Sequence, residues 1–152
     1  MIPTPRRKAI VEKQLETVWD ARDPESMDEF CTEDFVMHDP MGDRDLDRAK
    51  GMLRDVIDGT PDIEFTIDDL IASADRVVVR YTLEGTNEEP SFLTDQPTGL
   101  HWRSPGITVY RFEGEEIAEQ WNAFDYLGTM RQLGLIPSEA NADATGESGA
   151  QA

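Results

Sequence analysis

The sequence predicts an α+β fold in which N-terminal helices are covered by a strongly curved antiparallel sheet. Three observations carry this. Apolar residues recur at three- and four-residue steps as far as Gly59 and then switch to alternation with polar ones. The helical stretches precede the strands, apart from one short closing helix, which is the order of an α+β domain and not of a repeated βαβ unit. The 152 residues are the length of one domain, and a 38% apolar content is enough for one core.

Each element has its own signal. Val11, Leu15, Val18 and Trp19 form a stripe between Pro5 and Arg22, and Pro5 suits a first helical turn. Asp23-Pro24-Glu25-Ser26 breaks that helix, and Met27 to Cys31 reads as a short second one closed by Thr32. Phe35 to His38 is a brief extended piece ended by the turn Asp39-Pro40-Met41-Gly42. Leu46, Ala49, Leu53, Val56 and Ile57 share one face of a third helix, which Gly59 stops. Ile63, Phe65 and Ile67 then alternate with polar residues. Val77, Val79, Tyr81 and Leu83 do so again after a turn near Ala74-Asp75. Glu84 to Gly99 reads as a long loop. Two more strands follow, Leu100 to Phe112 and Ile117 to Phe124, joined at Glu113-Gly114-Glu115; Pro105 and Gly106 predict a bulge or an edge in the first. Tyr126 to Leu133 is a last helix ending at Gly134. Residues 1–137 therefore form one domain, and 138–152, rich in Ala, Gly, Ser, Asp and Glu, read as a disordered acidic tail.

The 32 acidic and 14 basic side chains leave a formal net charge of −18, spread along the whole chain. Such a surface repels phosphate backbones and anionic lipid heads, so neither nucleic acid nor a membrane is an expected partner. An even spread fits a solvated surface suited to concentrated salt better than a face for a basic partner, which would gather the charge. No apolar run approaches a membrane span, and the basic N-terminus lacks the apolar stretch of a secretory signal. Cys31 stands alone, which excludes an internal disulfide and a cysteine zinc site. A cytoplasmic protein is expected. The chain has no Gly-rich phosphate loop and no nucleophile elbow. Its two histidines, His38 and His101, are too far apart in sequence to suggest a metal pair, so no metal is expected.

The run Ile117-Ala118-Glu119-Gln120-Trp121-Asn122-Ala123-Phe124-Asp125-Tyr126-Leu127-Gly128, continued through Gln132, Leu133 and Gly134, resembles the closing signature of SnoaL-like proteins. These are polyketide (or ester) cyclases of the cone-shaped α+β barrel superfamily that includes ketosteroid isomerase and nuclear transport factor 2. Phe35 to Pro40 is similar to the family's aromatic-plus-His-Asp-Pro turn, and Gln96-Pro97-Thr98-Gly99 to its turn before a long strand. The resemblance covers residues 8 to 136 and implies a cone-shaped sheet with a pocket at its mouth and subunits paired through the outer sheet face as a homodimer. It also implies chemistry without metal or cofactor: an aspartate on the last strand removes and returns a proton during an aldol ring closure. Asn122 stands at that position, Asp125 matches a second acid, and Ile107 and Thr108 fall where the family carries a histidine. A carboxamide donates and accepts hydrogen bonds but takes no proton near neutral pH.

Candidate site residues follow. His38, at a strand end beside Asp39, is either a general base or a histidine bonding its turn. Asn122 is a hydrogen-bond donor for a carbonyl or an enolate. Asp125 is either the N-cap of the last helix or a carboxylate at the pocket rim. Trp121, Phe124, Tyr81 and His101 are candidate substrate contacts, although His101 faces either way. Trp19 and Phe65 belong to core or pocket wall, while Asp68-Asp69 and Glu115-Glu116 read as solvated pairs. Two functions remain open: a cyclase, isomerase or lyase acting on a small apolar carbonyl compound, or a non-catalytic ligand-binding or dimerisation module.

Overall fold

A computed structural model describes residues 3–137; the expected acidic tail, 138–152, lies outside them. Helix α1 (Thr4–Leu15) runs into a π turn at Glu16–Asp20, and a 3-10 turn follows at Pro24–Glu29. Strands β1 (Cys31–Asp39) and β2 (Gly42–Asp45) lead into α2 (Leu46–Gly59). Four long strands come next: β3 (Glu64–Ser73), β4 (Arg76–Thr86), β5 (His101–Glu113) and β6 (Glu116–Phe124), closed by α3 (Tyr126–Gln132).

The strands form one unclosed sheet in the order β2-β1-β6-β5-β4-β3. Every joint is antiparallel except β1 with β6, which is parallel and sets His38 beside Trp121 and Met37 beside Gln120. Two expectations change here. The extended piece at Phe35–His38 is a strand of nine residues starting at Cys31, so the short helix predicted to end at Cys31 is instead the 3-10 turn, finished by Glu29. A parallel partner far along the chain supplies hydrogen bonds that local pattern does not reveal. The Pro105-Gly106 pair makes no bulge against β4: the register is unbroken, Thr82 facing Pro105 and Tyr81 facing Gly106. Pairing with β6 begins only at Gly106, so Pro105 sits where β5 has a single neighbour, a position that tolerates its missing N–H.

Alternation decides which residues enter the core. In β5, Trp102, Ser104, Gly106, Thr108, Tyr110 and Phe112 are buried, and the intervening residues are exposed or half-buried. β4 buries Val77, Val79, Tyr81 and Leu83 on the same face. Against this concave face lie α1, through Ile10, Val11 and Leu15, and α2, through Ala49, Leu53, Val56 and Ile57. Burying each such aliphatic side chain contributes about 1.5–3 kcal/mol. Asp45 caps α2 by accepting from Arg48 N at 2.9 Å. Gly59 ends α2 under the loop, where a Cβ would lie 2.5 Å from that of Ser91. That loop is tied by Asn87, which is fully buried; its Oδ1 accepts from Thr98 N at 2.8 Å and Thr98 Oγ1 at 3.1 Å. The predicted Pro-Thr-Gly turn is thus pinned to the end of β4.

Candidate functional site

Between the concave sheet face and the helices lie two adjoining chambers, with about 50 and 40 Å³ of water-accessible space. Trp19, Met52, Leu53, Tyr81 and Asn122 line both. The first extends towards Phe92, Trp102, Phe124 and Tyr126, the second towards Gln14, Met27, Thr108 and Gln120. A water needs roughly 10–15 Å³ of such space, so each chamber admits a few waters.

Asn122 marks the junction. Its Oδ1 accepts from Tyr81 Oη at 2.9 Å and from Thr108 Oγ1 at 2.9 Å. Among the described residues its Nδ2 has no hydrogen-bond partner, and a doubly occupied carboxamide oxygen polarises that amide as a donor. Tyr81 reaches Asn122 because Gly106 lies opposite it: a Cβ there would stand 2.3 Å from the Tyr81 hydroxyl. Phe65 and Trp19 continue the stack, with ring centroids 4.7 Å from Tyr81 to Phe65 and 5.5 Å from Phe65 to Trp19. The titratable groups lining the chambers are tyrosines. Burial pushes the Tyr81 and Tyr110 hydroxyls far above the usual phenol value. Burial, and secondarily the Asp39 charge, raises Tyr126 to about 12. All three stay protonated at neutral pH, and Tyr81 donates to Asn122.

Sequence reasoning missed Asp39 as a site residue, treating it only as a partner for His38. Successive strand residues point to opposite faces, and β1 buries Phe35 and Met37 on the phase that Asp39 shares. The Asp39 side chain is 1% exposed and ion-paired with Arg44, and both lie close enough to Tyr126 to act on its hydroxyl. The Asp39 charge reaches both Tyr81 and Tyr126. The phase of β1 would have revealed this, and only the pairing with β6 fixes that phase.

His38 takes the opposite phase and lies on the outer sheet face. Its Nδ1 is 2.8 Å from Asp43 Oδ1 and its Nε2 is 2.6 Å from Glu119 Oε2, while its ring stacks on Trp121 at 5.5 Å. A carboxylate on each nitrogen favours the protonated ring. The Asp43 hydrogen bond and then that of Glu119 raise its pKa above the usual imidazole value. Trp121 is on this same face, under the Arg76 guanidinium at 5.3 Å. His101 is also outside, with Nε2 at 3.3 Å from Glu84 Oε2.

Asp125 caps α3, its Oδ1 accepting from Gly128 N at 2.9 Å. Gly128 is required there because a Cβ would fall 2.1 Å from the Asp125 carboxylate. Gln132 pins α3 to β5 by accepting from Arg103 N at 2.7 Å and donating to Arg103 O at 2.8 Å. The closing signature is thus built of a cap, a clamp and a positive-φ glycine, Gly134. Of the residues singled out from sequence, Asn122, Tyr81 and Phe124 meet in the chambers; His38 and Trp121, with Asp39 and Asn122, line an open depression on the outer face, and His101 and Asp125 lie elsewhere. Cys31 is buried, and desolvation pushes its thiol to about 12, so it stays protonated. Among the described residues no cluster of His, Cys, Asp or Glu could hold a metal ion, and no helix is long and apolar enough to cross a membrane.

Comparisons with known proteins bear on this arrangement. No functionally curated protein matches the chain. Among solved structures, TsrD from Streptomyces laurentii superposes with a TM-score of 0.78 at 23% identity, covering 90% of this chain and 100% of TsrD. A SnoaL-like polyketide cyclase from Agrobacterium tumefaciens gives 0.70 at 21% identity, over 88% and 100% of the two chains. A candidate polyketide cyclase from Acidithiobacillus ferrooxidans gives 0.72 at 26% identity, over 89% and 99%. These likenesses establish the curved α+β fold that the sequence predicted. The family pattern described as SnoaL-like polyketide cyclase matches residues 9–133, and the chain belongs to that family.

Proposed function

We propose that the protein binds a small, largely apolar, polyketide-like carbonyl compound in the two chambers and promotes its enolisation as the first step of an isomerisation or ring closure. The observation that carries this reading is the Asn122 junction, a polarised amide donor in a mostly apolar cavity. The substrate carbonyl accepts from Asn122 Nδ2. The C–H bond beside the carbonyl breaks, its proton passes through a chamber water to the Asp39 carboxylate, which lies near Tyr126 but outside the chamber lining, and the electron pair moves onto the carbonyl oxygen as an enolate. A fixed donor in a site with little water stabilises that charge more than bulk water would. In this reading Asp39 takes the proton in place of an acid at position 122, and Arg44 holds it beside Tyr126. Tyr81 and Thr108 position the Asn122 amide.

The test is exchange of the α-protons of 2-acetylnaphthalene in heavy water, followed by NMR. Wild type should exchange them above background. Asn122→Leu and Asp39→Asn should each lower the rate about 100-fold or more, within the range for removing an oxyanion donor or a general base. His38→Ala should leave it unchanged. A second reading, a ligand binder without turnover, is favoured by the fact that neither chamber is lined by a carboxylate or an imidazole. Saturable ketone binding with exchange at background would establish it.

We also propose a homodimer joined through the outer sheet face. Cross-strand neighbours Ile71, Val78, Val109 and Trp121 form an apolar row across four strands, and Ile71 is 57% exposed. Sedimentation showing a single species near 17.1 kDa would remove this proposal.

A further inference from the structure

The chambers differ in the hydrogen bond each lacks. Gln14 Oε1 and Trp102 Nε1 are buried side-chain atoms with no hydrogen-bond partner among the described residues. Gln14 is 4% exposed and lines the second chamber; Trp102 is 1% exposed and lines the first. One is an acceptor and the other a donor without acceptor capacity. Buried polar groups without partners are uncommon and cost stability, so a pair placed one to each chamber calls for an explanation. Thr32 Oγ1, another such atom, belongs to β1 and lines neither chamber.

Local sequence shows how they arise. Gln14 occupies the buried face of α1 beside Leu15 and Val11, where a leucine would fit the apolar stripe without an orphaned oxygen. Trp102 follows the inward phase of β5, in the row with Ser104 and Thr108. Asn122, at the junction, has an unpartnered donor of its own. The cavity therefore offers donors from the Trp102 end to its middle and an acceptor at the Gln14 end.

We infer that Gln14 and Trp102 are specificity-determining residues that select a hydroxylated ketone and fix its direction in the cavity. The ligand hydroxyl donates to Gln14 Oε1, and oxygens on its carbonyl side accept from Asn122 Nδ2 and Trp102 Nε1. This rests on the carbonyl-binding reading above and adds to it the substrate class and the orientation. A site that holds a substrate hydroxyl discriminates against the analogue lacking it, because the buried partner is then left unpaired.

The test compares ketones with and without the hydroxyl: 4-hydroxyacetophenone against acetophenone, and 6-hydroxy-2-acetylnaphthalene against 2-acetylnaphthalene. Binding is read by calorimetry on the full chain. Wild type should hold at least one hydroxylated ketone about tenfold more tightly than its parent, the scale of one well-placed hydrogen bond. Gln14→Leu should abolish that preference by weakening the hydroxylated ketone and not its parent, whose binding no longer leaves a buried oxygen unpaired. Gln14→Met serves the same purpose if the leucine variant does not fold. Trp102→Phe should weaken hydroxylated and parent ketones alike, preserving the preference. Equal binding of both members of each pair by wild type, or a preference that survives Gln14→Leu, overturns the inference and leaves the carbonyl cavity standing. Failure of every ketone to bind removes the carbonyl reading and this inference together.

Discussion

On the outer face of β6, Glu119 and Trp121 meet a histidine, Asp43 beyond it, and two arginines; on the inner face, Gln120 and Asn122 meet hydroxyls, thioethers and rings. Outside, the charges gathered around Glu119 find opposite charges. Glu119 takes His38 on one oxygen and Arg111 on the other, at 2.6 and 3.0 Å. Inside the chambers, polar groups are neutral, and some hydrogen-bonding capacity is left open. A network closed on itself stabilises a surface and offers little to a ligand. A set with an unfilled donor and acceptor can gain from binding one. This contrast, more than the presence of a histidine or an aspartate, locates the candidate site on the concave face.

The largest expected effect comes from closing the gap that lets Tyr81 reach Asn122. Gly106→Ala puts a methyl group 2.3 Å from the Tyr81 hydroxyl and ring, so the ring must leave or β5 must move. Overpacking of this kind costs about 1–3 kcal/mol. Ketone binding should fall with it, because the donor pair on Asn122 Oδ1 is broken. A melting temperature and a binding curve equal to those of wild type would show that Tyr81 does not organise the inner face.

Tyr81→Phe is the gentler version. It removes one hydrogen bond to Asn122 while keeping the stack on Phe65. The expected loss in stability is about 0.5–1.5 kcal/mol. Ketone affinity should fall as the Asn122 amide loses its fixed orientation, read by the same calorimetry. Equal affinity would assign the positioning to Thr108 alone.

How far the sequence reaches can be argued from the same residues. The α2 stripe, the Gly59 stop, the Gly114 turn and the inward phase of Val77 to Leu83 follow from local periodicity and turn chemistry, and each stands where it was expected. The Asp125 cap was one of two readings of that residue, and the approach of Gly128 N settles its local role. The phase of β1 was not legible. Whether His38 or Asp39 points inward depends on a parallel partner some eighty residues later, and a one-residue change of phase exchanges the two faces. The chamber polarity was hidden for a similar reason. Gln14 lies in a helical stripe as any polar neighbour might, and only the sheet opposite shows that its oxygen is buried without a partner. The family signature describes how α3 is capped and clamped, so it is informative about fold and nearly silent about chemistry.

Salt should separate the faces by a different route. Raising KCl from about 0.01 M to 1 M shortens the Debye length from roughly 30 to 3 Å. That weakens the exposed ion pairs, each worth about 0–1 kcal/mol, and it also relieves repulsion from a net charge of −18. The repulsion is summed over the whole surface, so its relief should win. The melting temperature is expected to rise by several degrees, equivalent to about 1 kcal/mol or more, and ketone binding to the neutral inner face should change little. A flat melting curve would mean that the ion pairs offset the repulsion and that the surface has no particular need for salt.

The smallest effect is the most discriminating. Hydrogen bonds from Asp43 and Glu119 raise the His38 pKa, so its contribution is complete below the ordinary imidazole value near 6.5 and is lost as pH rises through the raised one. The His38 contact, followed by Arg111, lowers the Glu119 pKa. That contribution is complete above the ordinary carboxylate value near 4.5 and is lost as pH falls through the lowered one. The outer network is therefore strongest between about pH 4.5 and 6.5, where both contributions are whole. His38→Ala should cost no more than about 1 kcal/mol in that window, since the pair is partly solvent-screened, and less above it. NMR titration of the His38 ring gives its pKa directly, and ketone affinity measured over the same range should not follow that curve. If affinity does track His38 protonation, the two faces are coupled through the β1–β6 joint, and the charged network outside becomes part of the site within.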